Sequence, residues 1–348
     1  MNQLMEHIDP QKISALETAL KASCRPVIVT HMKPDGDAMG SCVAMYHFLY
    51  VMGKSPRIVL NDRHPAYLDF LTQDIADISV FKENPKDASK AIEDSDLIIC
   101  LDFNAFHRTD NLSELLESAK ADKILIDHHL SPEKELFSIA FSETEISSAS
   151  ELLYHILLST SFINGNAASL PRRAAEALMT GMTTDTNNFA NSVYPSTLSM
   201  ASELLAAGVD RDRILQHIYN HFGENRLRLK GHMFKDLMRV TPDGVAYMVL
   251  DRATQEEYQV AEGDTEGFVN EPLSIAGVKM SILAKEDTDR IRISIRSKKG
   301  TSANRCAKAH FNGGGHENAS GGALRGIDIR AVAQYIEEHT HTFMTEEQ

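Results

Sequence analysis

The chain has 348 residues, of which 43% are hydrophobic, and a formal net charge of −14 at pH 7, so it is long enough for two domains with full cores. The acidic balance argues against a sequence-independent grip on long nucleic acid, and the four scattered cysteines indicate neither a zinc ribbon nor a disulfide scaffold. Because no apolar run approaches the length of a membrane span and the first ten residues do not resemble a signal peptide, we expect a cytoplasmic protein that binds no membrane.

The first part of the chain alternates strand-like and helix-like segments, which is typical of an α/β domain: a parallel sheet with helices on both faces. Residues 41–52 predict a helix that ends at Gly53, and further helices are predicted over 173–179 and 196–207. Continuous apolar runs, as expected of strands buried on both sides, predict parallel strands at 26–30, 57–60, 97–101 and 123–126.

The polar stretch 211–238 predicts a long connecting helix. We therefore place a first domain at 1–210, a helical linker at 211–238 and a smaller α+β domain at 239–348. The last strand of this second domain alternates apolar and charged residues, as a sheet with one face in water does. The second domain is predicted to contain strands at 245–250, 278–284 and 291–295 and helices at 302–311 and 328–339.

Ionisable side chains, not turn residues, follow three of the predicted parallel strands. Parallel strands end at the same edge of a sheet, where α/β proteins place their chemistry. The chain therefore presents a pool of imidazole and carboxylate groups at one edge, with no cysteine among them. The members of this pool are His31, Asp35 and Asp37 after the first strand, Asp102 after the third, Asp127, His128 and His129 after the fourth, and Asp185 after a run of small residues.

The spacing of Asp35 and Asp37 would allow one loop to serve two metal ions. Two divalent ions about 3.5–4 Å apart that share a carboxylate can clamp the attacking and leaving oxygens of a phosphoryl transfer. Asp102, alone at the end of its strand, is the natural shared ligand. Imidazole and carboxylate without thiolate suit Mn²⁺, Fe²⁺ or Co²⁺ better than a structural zinc or a calcium cage, and we predict Mn²⁺.

A second notable stretch, Gly313-Gly314-Gly315-His316, lies late in the chain. Consecutive glycines let the backbone come close to a ligand, and their N–H groups can form an anion-binding concavity. Nearby basic side chains favour phosphate as that anion. They are Arg292, Arg296, Lys298, Lys299 and Arg305.

Taken singly, the candidates also have structural explanations. Asp35 and Asp37 could form a surface turn, and a buried histidine is more often a core residue than a ligand. Their coincidence at three strand ends favours a metal site. Two further residues, His107 and Arg108, follow Asp102. The sequence does not decide whether they contact a substrate or lie on a solvated loop.

These motifs resemble the DHH phosphoesterases, a family named for the triplet found here at 127–129. Four metal motifs occur in the family's order, and the glycine and histidine motif occurs late, as in the two-domain branch of nano-RNases and phosphatases of 3′-phosphoadenosine 5′-phosphate (pAp). The resemblance spans nearly the whole chain and implies a DHH domain followed by a DHH-associated domain. One departure is Thr186-Asn187-Asn188, where the family often has a glycine after the last aspartate; asparagine tolerates the left-handed conformation that glycine permits.

The resemblance implies two Mn²⁺ ions per subunit. It also implies that Asp102, His128 and His129 are catalytic, with His129 near the substrate phosphate, and that Asp127 orients an imidazole ligand. The implied ligands are His31, Asp35 and Asp102 for one ion, and Asp37, Asp102, His128 and Asp185 for the other.

In the second domain, the resemblance implies that Gly314, Gly315 and His316 close over the metal cleft and bind the terminal phosphate or nucleotide, with Arg296 as a further contact. The implied activity is hydrolysis of short oligoribonucleotides, dinucleotides and pAp by hydroxide that the two metals activate. Short RNA or DNA oligonucleotides, dinucleotides or pAp would be the partners, and a homodimer is the default assembly. Two alternatives stay open, a c-di-AMP phosphodiesterase and a non-catalytic, metal-loaded nucleotide sensor.

Overall fold

The computed structural model describes residues 8–220, 222–261 and 263–346, and the chain divides into two compact units, 1–221 and 222–348. This division falls inside the stretch for which the sequence predicted one connecting helix. The structure has two helices there instead, Arg211–Tyr219 in the first unit and Glu224–His232 in the second. They are separate because each packs apolar side chains into a different core, the first helix through Ile214 and Ile218 and the second through Leu229.

A six-stranded parallel sheet forms the centre of the first unit, in the order β3-β2-β1-β4-β5-β6. The order of the strands reverses between β1 and β4, which are hydrogen-bonded neighbours. In open α/β sheets, ligands bind outside the carboxyl ends of the strands at such a reversal. The strands are β1 (Pro26–Val29), β2 (Arg57–Leu60), β3 (Ile78–Val80), β4 (Leu97–Leu101), β5 (Asp122–Asp127) and β6 (Ile139–Ser142).

Apolar clusters cover both faces of this sheet. Ile28 of β1 belongs to one cluster, and its neighbours Val27 and Val29 belong to the other, so burial on both sides removes the alternation that a half-exposed strand would show. The α/β fold and the four strands with continuous apolar runs are thus confirmed. The helices of this unit are α1 (Pro10–Ala22), α2 (Gly36–Val51), α3 (Asp69–Thr72), α4 (Pro85–Glu93), α5 (Ser113–Ser118), α6 (Ala149–Ser159), α7 (Arg172–Asp185), α8 (Pro195–Ala206) and α9 (Arg211–Tyr219), with short 3₁₀ segments at Ala66–Leu68, Phe106–Leu112, Lys134–Leu136 and Ala167–Ser169.

Helices α2 and α7 pack with their backbones almost in contact. A Cβ atom on Gly40 would lie 2.7 Å from the carbonyl oxygen of Ala177 and 2.8 Å from the Cα of Gly181, so no side chain fits there. A Cβ atom on Gly36 would overlap the side chain of Thr184 in the same way. This contact brings the beginning of α2 beside the end of α7.

The second unit contains a mixed six-stranded sheet in the order β11-β12-β10-β9-β8-β7, in which only the β8–β9 pair is parallel among the described strands. Burial alternates along β10, where Ile291, Ile293 and Ile295 face the core, as the sequence predicted. The elements are α10 (Glu224–His232), a π-helical turn (Met233–Leu237), β7 (Arg239–Val240), β8 (Val245–Leu250), α11 (Arg252–Glu257), a 3₁₀ segment (Phe268–Ser274), β9 (Met280–Glu286), β10 (Ile291–Ser297), α12 (Ala303–His310), β11 (Gly314–Gly315), β12 (Ala319–Leu324), a 3₁₀ segment (Ile329–Ala331) and α13 (Val332–Glu346).

Over the described parts of both units, no helix combines the length and the apolar character that crossing a membrane would require.

Candidate active site

The connection from β1 to α2 positions one imidazole and two carboxylates. Asp35 caps α2, because its Oδ1 accepts hydrogen bonds from the backbone N–H groups of Asp37 at 3.0 Å and Ala38 at 3.1 Å. The sequence analysis placed Asp37 on a loop, but in the structure it lies in the first turn of the helix. The His31 ring donates from Nδ1 to the carbonyl oxygen of Met32 at 2.8 Å, which fixes the direction of Nε2.

Asp102 follows β4 and lies between two groups of side chains. The residue is 3% exposed, and its backbone has φ +62°, a left-handed conformation that costs energy in a residue other than glycine. Oδ2 lies 3.5 Å from Nε2 of His31, and Oδ1 lies 3.3 Å from Nε2 of His128. Among the described residues none donates a well-aligned hydrogen bond to Oδ1. A buried acceptor left in this state is costly unless a cation or another ligand satisfies it.

On the His128 side of Asp102, two more carboxylates approach the same imidazole. Oδ2 of Asp37 and Oδ2 of Asp185, the last residue of α7, each lie 3.7 Å from Nε2 of His128. Ligand atoms of these three residues all lie within 4.8 Å of one another, and the same is true of His31, Asp35 and Asp102. The structure thus brings the six predicted metal ligands together as two groups, with Asp102 touching both.

The charges in this cluster favour a divalent cation. Burial, together with the negative charges of Asp102 and Asp185, raises the pKa of Asp37 well above its ordinary value. Burial alone would lower the pKa of His128, but the surrounding carboxylates raise it to about 10. Burial alone would raise the pKa of Asp102, but the imidazoles of His128 and His31 hold it well below its ordinary value. Four carboxylates against two imidazoles, with one buried oxygen lacking a donor, fit divalent metal ions.

The second histidine of the triplet is held by the aspartate before it. Oδ1 of Asp127 lies 2.7 Å from Nδ1 of His129, and Oδ2 accepts a hydrogen bond from the His129 backbone N–H at 3.1 Å. The sequence predicted that Asp127 orients an imidazole ligand; the imidazole that it holds is that of His129, which is not among the predicted metal ligands. Burial, and then the positive charge of Arg108, lower the pKa of His129, so its ring is neutral at pH 7 and carries its proton on Nδ1.

The amino terminus of α6 supports Asp37, a feature that the sequence analysis missed. The backbone N–H groups of Ala149 and Ser150 donate to Oδ2 and Oδ1 of Asp37 at 2.6 and 2.9 Å. Unpaired N–H groups at a helix start commonly bind anions in this way. The spacing Ser148-x-x-Glu151 was the available signal, since it marks a helix start, and Ser148 does cap α6.

In the second unit, the glycine motif forms an edge strand. Gly314 and Gly315 make up β11 and pair with β12, and a Cβ atom on Gly313 would lie 1.9 Å from the carbonyl oxygen of Gly321. At Gly313, glycine is therefore required by the contact between two backbones, a different reason from the anion-binding concavity that the sequence suggested.

Two predicted substrate residues lie next to each other in this second unit. The backbone N–H of His316 donates to Ala319 at 2.8 Å across the turn between β11 and β12. Ala319 is also the register partner of Arg296 on β10, and both His316 and Arg296 are half-buried. The structure thus places the His316 turn beside the Arg296 strand.

The loop after Asp185 departs from ordinary backbone geometry. Thr186 keeps a helical conformation, but Asn187, Asn188 and Phe189 follow with φ values of +46°, +58° and +66°. Both asparagines use the expected tolerance for left-handed angles, and they lie one and two residues after the position where the sequence analysis expected a glycine.

Comparisons with known proteins agree with this arrangement. The model of the DHH family, N-terminal domain, matches residues 25–182, and the model of the DHHA1 domain matches residues 243–342. A probable bifunctional oligoribonuclease and PAP phosphatase NrnA from Streptococcus mutans is 29% identical over 310 residues, which are 87% of this chain and 90% of that protein. The bifunctional oligoribonuclease and PAP phosphatase NrnA of Thermus thermophilus is 27% identical over 341 residues, or 96% of this chain and 95% of that protein.

A solved structure is also similar over the full length. The crystal structure of an exopolyphosphatase-related protein from Bacteroides fragilis superposes with a TM-score of 0.89 at 36% identity, and covers 97% of this chain and 98% of that chain.

Proposed function

The chain belongs to the DHH family of metal-dependent phosphoesterases, with a DHHA1 domain after its DHH domain, and from this premise we propose that it hydrolyses short oligoribonucleotides, dinucleotides and pAp. The observation that carries the proposal is the position of Asp102, whose two oxygens face different groups of ligands. The activities after which the two NrnA relatives are named support short nucleotides as substrates. A cytoplasmic location and a homodimer complete the proposal.

We assign two Mn²⁺ ions to the cluster, because mixed imidazole and carboxylate groups without thiolate suit this ion. When bound, such a pair of ions makes water more acidic and neutralises negative charge on the phosphoryl oxygens. The shared position of Asp102 accounts for its buried, strained conformation and for the oxygen without a donor. One ion is assigned to His31, Asp35 and Asp102, and the other to Asp37, Asp102, His128 and Asp185.

The histidine that is not assigned to a metal has a separate role. Because Asp127 holds the proton of His129 on Nδ1, the neutral ring presents Nε2 as an acceptor. We assign His129 to a position near the substrate phosphate, where Nε2 can accept a proton from water.

In the second unit, we assign His316, Arg296 and the backbone of Gly314 and Gly315 to the terminal phosphate of the substrate. The proximity of the His316 turn to the Arg296 strand supports this assignment, since one phosphate can accept hydrogen bonds from both side chains. A grip on one end of the substrate favours short chains, because a longer chain gains no further contact from it.

The test gives the Mn²⁺-loaded protein equal amounts of pAp, a linear diadenylate, c-di-AMP and a long RNA. We expect pAp and the diadenylate to be hydrolysed faster than the long RNA. The Asp102→Ala variant should lose activity by more than about a hundredfold, the upper loss seen when only an outer partner of a metal ligand is removed. The exposed Asp94→Ala variant serves as the control and should keep full activity. Preference for the long RNA would contradict the substrate assignment, and activity surviving in Asp102→Ala would contradict the site.

A further inference from the structure

The segment that follows Asp102 is tied to the histidine triplet at its beginning. The Asn104 side chain donates from Nδ2 to the carbonyl oxygen of Leu130 at 2.8 Å, and the Asn104 carbonyl accepts from the N–H of Glu133 at 2.9 Å. Leu130 directly follows His129 in the chain. The 3₁₀ segment Phe106–Leu112 therefore starts from a fixed point beside the DHH loop.

The same segment is tied to the other side of the site through Arg108. The backbone N–H of Met32 donates to the carbonyl oxygen of Arg108 at 2.8 Å, while the carbonyl of Met32 accepts from the His31 ring at 2.8 Å. A single residue thus holds the Arg108 backbone and the His31 imidazole. Arg108 is fixed close to a predicted metal ligand without being one itself.

The guanidinium of Arg108 carries a charge that no carboxylate of the described residues neutralises by an ion pair. Arg108 is half-buried, yet none of the described carboxylates lies within ion-pair distance of it. Other arginines of the same unit are paired, for example Arg63 with Glu83 at 2.7 Å and Arg173 with Asp74 at 2.7 Å. A half-buried, unpaired cation costs solvation energy, which an anionic ligand would recover.

The charge of Arg108 reaches both sides of the metal cluster. The Arg108 guanidinium lies close enough to the imidazole of His129 for their charges to interact, and the same holds for the imidazole of His31. The Arg108 backbone is also hydrogen-bonded to Met32, the residue after His31. A cation that acts on His31 and on His129 is near the position assigned to the reacting phosphate.

We propose that Arg108 binds a non-bridging oxygen of the phosphate that is hydrolysed. This inference rests on the proposed function, and it decides between the two interpretations of Arg108 that the sequence left open. The planar guanidinium offers parallel N–H donors that match two phosphate oxygens, and it keeps its charge at every relevant pH. Arg108 thus adds a fixed positive charge to the phosphate site from the first unit itself.

The experiment compares wild-type protein with Arg108→Ala, Arg108→Lys and the matched control Arg63→Ala. Binding of AMP to the Mn²⁺-loaded protein is measured by calorimetry, Mn²⁺ affinity by electron paramagnetic resonance, and kcat and KM with pAp. Arg108→Ala should weaken AMP binding and lower kcat/KM by about ten- to a hundredfold, the value of a hydrogen bond to a charged group. Arg108→Lys should recover part of the loss, because it keeps the charge but not the paired donors. Mn²⁺ affinity should not change, and Arg63→Ala should resemble the wild type.

Three results would overturn the inference: unchanged AMP affinity in Arg108→Ala, a wild-type protein that binds no AMP, or a parallel loss of Mn²⁺ affinity, which would show a structural role. Failure of the proposed function is distinguishable from these. A wild-type protein that hydrolyses none of the substrates contradicts that function, whereas AMP binding still tests Arg108. If Arg108→Ala does not fold, Arg108→Lys answers the same question through its AMP affinity.

Discussion

Two adjacent histidines, His128 and His129, have different surroundings and therefore different chemistry. Three carboxylates face His128 and raise its pKa to about 10, so that without a metal ion it is protonated at pH 7. His129 is neutral, and Asp127 holds its Nδ1 proton. One backbone step thus separates a side chain suited to a cation site from one suited to accepting a proton.

The Asp127→Asn variant tests this division of roles. An amide removes the negative charge that fixes the His129 proton, so we expect kcat to fall by about 10- to 100-fold, as for other outer partners of site histidines. Mn²⁺ affinity should be retained, because both oxygens of Asp127 contact His129, which is not among the assigned metal ligands. Steady-state kinetics and Mn²⁺ titration measure the two effects. Asp122→Asn, at the exposed start of the same strand, is the control, and a loss of Mn²⁺ affinity equal to the loss of activity would contradict the assignment.

At the scale of elements, a buried glutamate connects α6, which supports Asp37, to α8. The Glu151 side chain is fully buried, and its Oε2 accepts from Thr197 of α8 at 2.7 Å and from the hydroxyl and backbone N–H of Ser147. Burial alone would raise the pKa of Glu151, but His155 and the hydroxyl groups outweigh it and lower the pKa below its ordinary value. The glutamate is therefore ionised at pH 7.

The Glu151→Gln variant should be less stable than the wild type by about 1–3 kcal/mol at pH 7, the cost of disrupting a buried hydrogen-bonded charge. Because the pKa is lowered in the folded state, this contribution is present above the ordinary value of 4.5 and is lost as the pH falls below it. Urea unfolding at pH 7 and at pH 4 measures the difference. Glu114→Gln on exposed α5 is the control, and an equal difference at both pH values would be inconsistent with an ionised Glu151.

Helix α2 shows how far the sequence predicts these elements. The apolar stretch 41–52 predicted the body of this helix, but the helix begins earlier, at Gly36. The sequence did not predict the first turns, because Gly36 and Gly40 lower helix propensity. The packing against α7 overrides that propensity. The same reasoning explains β3 and β6, which have three and four residues and were missed because their apolar runs are short. Most of the candidate ligands could be recognised in the sequence because they follow β1, β4 and β5, strands whose burial the sequence does encode.

For the whole molecule, folding gathers carboxylates that repel one another. The chain carries a net charge of −14, and four carboxylates meet in the cluster of the first unit. The residues that would hold the ions could be predicted from sequence motifs. The separation of their oxygens and the left-handed Asp102 could not be predicted, because both depend on contacts between strands far apart in the chain.

Metal removal should therefore lower the melting temperature. At a free Mn²⁺ concentration of 100 times Kd, binding stabilises the folded state by about 2.7 kcal/mol. For a unit of this size, the expected rise in Tm is about 5–10 °C, and EDTA should reverse it. Differential scanning calorimetry measures the shift. Asp102→Ala should show no Mn²⁺-dependent change, and a shift of equal size in that variant would place the binding elsewhere.

The glycine contact between α2 and α7 fixes the distance between two of the assigned metal ligands. Asp37 lies in the first turn of α2, and Asp185 is the last residue of α7. The backbone contact between Gly40 and Gly181 therefore sets the distance between the two carboxylates. A change of side-chain rotamer cannot relieve a clash between backbone atoms. A single methyl group added at Gly40 would push the two helices apart, and Asp37 and Asp185 would then no longer reach the same metal position.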